Sequence, residues 1–164
     1  MKKFKSTLLT LTFICAISLN AQTTNIEGID FPDELSLNDD TFVLNGGGLR
    51  EKLGFLDLYV GGLYLSANSS DANQIVTSGN SMAIRIVIAS RLVSRERFIE
   101  ALEEGFENTT VGKYTPMQIE SFKKYLSDAF EPGDEIILAY SSTEERTYLY
   151  KKHRSSRRIF WTSL

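Results

Sequence analysis

The sequence predicts an α+β domain in which a layer of helices covers one face of a mainly antiparallel sheet. Three observations carry this expectation. β-prone runs come first, two consecutive helices follow, and two more β-prone runs close the order. Each of the two central helices carries its own start signal. The last two runs flank a polar turn, as the arms of a hairpin do.

Taken in order, the 164 residues begin with Lys2, Lys3 and Lys5, then an uncharged apolar run from Leu8 to Leu19, then Asn20-Ala21-Gln22. Positive charge, a short apolar stretch and a small residue are what the export machinery reads, so residues 1–21 are expected to be a signal peptide cleaved after Ala21. The run is shorter than the roughly 20 apolar residues a membrane anchor needs. The only cysteine, Cys15, lies inside it behind Phe13-Ile14, without the small residue that precedes a lipidated cysteine. Residues 22–164 then form one domain, a length that suits a single core. The expected location is outside the cytoplasm, periplasmic or secreted, with no integral membrane segment after cleavage.

The mature part has no cysteine, which excludes disulfides, thiol nucleophiles and cysteine metal sites. The lone histidine, His153, sits in the basic tail Lys151–Arg158, which makes a histidine triad or a zinc site improbable. No metal or cofactor is expected. Between Gln22 and Tyr150 ten Lys and Arg face 21 Asp and Glu, a net charge of −11. An acidic body argues against a nucleic-acid partner. The basic tail is either an atypical terminus or a contact for an acidic surface. Oligomeric state is not encoded in any readable feature.

Thr23 to Asn38 is polar around Phe31-Pro32 and reads as an entry strand or loop. Thr41–Leu44 is a short strand expected to stop at Asn45-Gly46-Gly47-Gly48. Phe55 to Leu65 is apolar on both faces, as a central strand is, and Gly61-Gly62 inside it suggests a bulge or a close approach. Ser69–Ser78 holds a short helix, and Ala83–Ala89 is a strand rich in β-branched residues. Ser94 caps a helix with Phe98, Leu102 and Phe106 on one side and Glu100, Glu103, Glu104 and Glu107 on the other. Thr115-Pro116-Met117-Gln118 starts a second helix, with cap, first-turn proline and capping-box glutamine, expected to run to Phe130. Glu135–Tyr140 and Arg146–Tyr150 are the hairpin strands.

The glycine run lacks a Walker lysine and the spacing of a nucleotide loop, so phosphate cradling is a weak reading. Arg50 closes the run. It is either a surface arginine paired with one of the many carboxylates or a fork projecting into a cleft, where it would grip an anion.

Leu44-Asn45-Gly46-Gly47-Gly48-Leu49-Arg50, followed by Phe55–Leu65 with its Gly61-Gly62-Leu63-Tyr64-Leu65 close, resembles the signature of the chalcone isomerase-like family. The resemblance spans roughly Ile26 to Tyr150. It implies an open-faced β-sandwich with an apolar cleft between sheet and helices. The family includes a plant isomerase and non-catalytic fatty-acid binders. The isomerase works with an arginine, a strand threonine, and a tyrosine, lysine and asparagine at the first long helix. Here the arginine is Arg50 and the threonine position holds Tyr59. The helix positions fall on Arg97 or Phe98, Glu100 or Ala101, and Glu104 or Gly105. Glutamates there oppose the developing negative charge of an enolate.

The resemblance therefore implies a binder of a small lipophilic or carboxylate-bearing ligand such as a fatty acid. Arg50 and Tyr59 would hold its polar end, and Phe98 and Leu102 would line the cleft. Tyr59 can equally be a core aromatic. Two alternatives stay open: an isomerase or intramolecular lyase on another enone-like substrate with Arg50 as its catalytic group, and a non-catalytic structural or interaction protein of the envelope. Family members continue past the last hairpin strand into a further strand and a covering helix. Arg154–Leu164 does not have that composition, so truncation or a frameshift after about residue 152, or a docked plug Ile159-Phe160-Trp161, is the expectation for the C-terminus.

Overall fold

The computed structural model describes residues 22–52, 56–109, 115–152 and 159–163. The expected signal peptide, residues 1–21, and most of the basic tail lie outside them. Nine strands and three helices follow the chain as β1 (Thr23–Ile26), β2 (Ile29–Pro32), β3 (Glu34–Leu37), β4 (Asp40–Lys52), β5 (Leu56–Leu65), α1 (Ala72–Thr77), β6 (Met82–Ile88), α2 (Arg95–Glu107), α3 (Pro116–Tyr125), β7 (Glu135–Ser141), β8 (Arg146–Lys152) and β9 (Ile159–Ser163). Strands β3 to β9 form one antiparallel sheet in sequence order, and β1 pairs with β2 as a separate hairpin.

The structure departs from or sharpens several expectations. The polar entry segment is three short strands, because its glycine and asparagine turns, with positive φ at Glu27, Gly28 and Asn38, fold it back on itself twice. The glycine run does not stop a strand. β4 continues through it to Lys52, because β5 supplies a partner for every glycine: Gly46 to Leu63, Gly47 to Gly62 and Gly48 to Gly61. At Gly61-Gly62 the close approach is what the structure shows, with the Phe31 ring pressed on Gly62 and β4 on Gly61; the register shifts lie between Leu44 and Gly46, where Asn45 turns its side chain out to accept the Ser69 N–H at 2.8 Å, and between Arg50 and Glu51. The tail segment Ile159–Ser163 pairs with β8 as the last strand, so a further strand does follow the hairpin.

The helices start as their sequences dictate. The Ser94 hydroxyl accepts the Arg97 N–H, and Thr115 and Gln118 complete a reciprocal capping box. α3 ends at Tyr125, earlier than expected. Its last carbonyls are taken by a side chain from α2: Arg95 donates Nε to the Leu126 carbonyl at 2.7 Å and Nη2 to that of Lys123 at 3.4 Å. That contact satisfies orphan acceptors of the helix end.

Two cores flank the sheet. On one face Ile86, Ile88, Ile136 and Leu149 meet Phe98, Ile99, Phe122, Leu126 and Phe130 from α2, α3 and the loop after it. Each such side chain contributes about 1.5–3 kcal/mol by leaving water. On the other face the β1–β2 hairpin lays Phe31 against Val60, Tyr64, Ala83 and Val87. Arg85 fastens it there. Arg85 donates to Glu135 at 3.1 Å and to the Asp30 carbonyl at 3.0 Å, with its guanidinium 4.6 Å from the Phe31 ring centre.

Candidate ligand cavity between the sheet and the first long helix

Directly paired residues of antiparallel strands share a face. Arg50 pairs with Tyr59, and Tyr59 with Ile88. Ile88 belongs to the helix-side core, so Arg50 and Tyr59 stand on the helix side of the sheet, at the end nearest the start of α2. There they line a cavity of about 310 Å³. Its apolar wall is Leu58, Val93, Phe98 and Ala101; Glu51, Arg97 and Glu104 complete it. The volume lies at the lower end of the range of about 300–1,000 Å³ usual for small-molecule sites.

The polar groups of this cavity are unspent. Arg50 is exposed and forms no hydrogen bond or ion pair among the described residues. Tyr59 is half-buried, its ring edge-on to Phe98 at 6.4 Å between centres, and its hydroxyl has no partner among the described residues. Arg97 donates one long bond of 3.4 Å to the Leu92 carbonyl. Two guanidinium forks and a phenol therefore face a mostly apolar hollow with donors to spare. Such a site can hold an oxyanion by charge-assisted hydrogen bonds while its hydrocarbon part lies on Phe98, Leu58 and Val93.

Three of the four residues expected at the ligand site, Arg50, Tyr59 and Phe98, share this wall. Leu102 does not. Besides Phe98, the α2 residues that line the cavity are Arg97, Ala101 and Glu104. Leu102 lies one residue, about 100°, further round the helix, and packs half-buried against the helix-side core. Arg97 and Ala101 were legible as matches to lost catalytic positions but not as cavity residues. The signal that finds them is the i, i+4, i+7 stripe opposite the apolar one. Beside α1 lies a recess of about 260 Å³ whose polar lining is serine, asparagine and glutamine, set among Leu65, Ala67, Ile75 and Met82. Several of those groups already bond each other or the backbone, as Ser81 does with Ser142 at 3.0 Å and Asn68 with the Leu44 carbonyl at 3.0 Å.

Buried Lys151 stands on the same face further along the sheet. Its ammonium is 4.6 Å from the Phe130 ring centre and donates to the Asp128 carbonyl at 3.3 Å. Burial holds its pKa below the usual lysine value, against the pull of Asp128 and Asp134 in the other direction. Among the described residues no cluster of histidine, cysteine and carboxylates could hold a metal, and no helix is long and apolar enough to cross a membrane.

A family model described as chalcone isomerase-like matches residues 23–160. No curated protein matches the chain. Among solved structures, a fatty-acid binding protein of Arabidopsis thaliana is similar with a TM-score of 0.64 and 18% sequence identity, over 87% of this chain and 83% of that one. At that identity the likeness is one of fold.

Proposed function

The chain belongs to the chalcone isomerase-like family, and from that premise we propose that it is an exported binding protein for a small lipophilic carboxylate such as a fatty acid. The observation that carries this is the cavity itself. Arg50 and Tyr59 bring unspent donors to one hollow whose remaining wall is chiefly apolar. The structural neighbour from Arabidopsis, named for fatty-acid binding, supports the ligand class. Export rests on the N-terminal pattern of Lys2, Lys3, Lys5, the Leu8–Leu19 run and Ala21.

The cavity wall also weighs against isomerisation of a chalcone. Closing the ring needs donors where negative charge develops on the substrate oxygen. After Arg97 the α2 residues that line the hollow are Phe98, Ala101 and Glu104. The first two offer no donor, and the third is a carboxylate that repels an enolate. A carboxylate ligand anchored at Arg50, on the sheet side of the hollow, needs none of them as a donor.

Isothermal titration of the mature chain with dodecanoate tests the proposal. Arg50→Ala is expected to weaken binding about tenfold or more, the scale of one charge-assisted contact. Unchanged affinity in Arg50→Ala would reject Arg50 as the anchor. For export, the processed protein should begin at Gln22 in N-terminal sequencing from an envelope or culture fraction. An unprocessed cytoplasmic chain would overturn that part.

A further inference from the structure

Arg97 is the second arginine of the cavity, and we infer that it forms, with Arg50, a two-armed clamp that grips the ligand's oxyanion from both walls. This rests on the binding function proposed above and adds to it the residue that reads the headgroup.

Arg97 is kept free by its own helix. The residue four places on, where a carboxylate usually neutralises a helical arginine, is Ala101. Glu100, three places on, forms no ion pair with it, and Glu104 lies two turns away, about 10 Å along the axis. The long contact to Leu92 uses Nη1 alone and, among the described residues, leaves the rest of the fork unbonded. Arg50 is free for a parallel reason. Its cross-strand partner is Tyr59 rather than an acid, and among the described residues neither Glu51, which lines the same cavity, nor any other acid pairs with it.

Both arms line the same cavity of about 310 Å³, and each can offer a carboxylate charge-assisted bonds of about 2.8 Å. One arm comes from the sheet and the other from α2, so an oxyanion between them ties the two layers together at the mouth. Ala101, exposed between Arg97 and Glu104, leaves the entrance open. Glu51 and Glu104 balance the two arginines, so the empty hollow is neutral and a bound oxyanion carries it to a single negative charge.

The test titrates wild type, Arg50→Ala, Arg97→Gln and Glu104→Gln with dodecanoate and with dodecanol, which has the same tail and no charge. Glutamine keeps helix propensity at position 97, and the cap contact of Ser94 goes to the backbone there, so the variant should fold. Arg97→Gln is expected to lose about tenfold in dodecanoate affinity, as for a lost charge-assisted contact, and to bind dodecanol as wild type does. Glu104→Gln is expected to gain about two- to threefold for dodecanoate by removing a like charge. Wild-type affinity of Arg97→Gln for dodecanoate, with Arg50→Ala impaired, would overturn the clamp and leave the one-armed site standing. Equal losses for dodecanoate and dodecanol in Arg97→Gln would also overturn it, since packing rather than charge would then be at work. A wild-type chain that takes up no dodecanoate overturns the parent reading, and the clamp with it.

Discussion

The two faces of the β4–β5 pair use the same residue type for opposite ends. On the hairpin side Gly47 and Gly62 are paired, and a β-carbon on either would collide. At Gly47 it would lie 2.5 Å from the Gly61 carbonyl oxygen and 2.6 Å from Ile26; at Gly62 it would lie 2.7 Å from the Phe31 ring. On the helix side Gly46 and Gly48 would meet nothing within 4 Å. The arginines divide the same way. Arg85, buried on the hairpin side, has a carboxylate, a carbonyl and an aromatic ring around it. Arg50, on the helix side, makes no hydrogen bond or ion pair among the described residues. A saturated arginine in a filled face holds a fold together, and an unsaturated one beside a hollow is free to hold something else.

The sharpest way to break this contrast is to truncate both arginines. Arg85→Ala should cost about 3 kcal/mol in urea unfolding, since it leaves Glu135 with Lys152 alone, takes the guanidinium donor from the Asp30 carbonyl and removes the cation from Phe31. Arg50→Ala should stay within about 0.5 kcal/mol of wild type and change only ligand affinity. If the two cost the same in stability, the division between the faces fails.

The glycines offer a second, smaller test. Gly62→Ala should destabilise by about 1–3 kcal/mol, because Phe31 is fully buried and cannot retreat. Gly48→Ala, one register step away on the open face, should be neutral within about 0.5 kcal/mol or slightly stabilising. A comparable loss at both sites would mean that the helix side is as filled as the hairpin side.

The smallest effect concerns pH. Lys151 is charged and buried, and its pKa in the folded chain lies below that in the unfolded one. Between those two values the unfolded chain binds more protons, so stability from this group rises as pH climbs through the alkaline range toward the ordinary lysine value. Tyr64 and Tyr150 act the other way, their pKa values raised chiefly by burial, and Tyr148 likewise through its bond to Glu144. The difference between wild type and Lys151→Met isolates the lysine. Wild type should gain on the variant as pH rises; a flat difference would show that the ammonium is not desolvated.

Much of this molecule is local and therefore legible. Ser94, Thr115, Pro116 and Gln118 fix where two helices start, because caps are set by neighbours within four residues. The hairpin strands, the β-branched strand at Ala83–Ala89 and the candidate residues Arg50, Tyr59 and Phe98 were likewise readable, the last three through a motif. What the sequence alone left open depends on contacts between distant segments. A glycine run can stop a strand or continue it, and only the presence of β5 decided that β4 runs on to Lys52. Leu102 and Arg97 stand on different sides of α2, and only its packing on the sheet made the second a cavity residue while the first stayed at the core. The end of α3 was set by Arg95, a residue more than twenty positions earlier in the chain. Composition, caps and spacing thus determined which elements exist, because those depend on short-range backbone preferences. Which face is filled, which arginine is spent and where a hollow remains were decided by tertiary packing, because each needs two elements to meet.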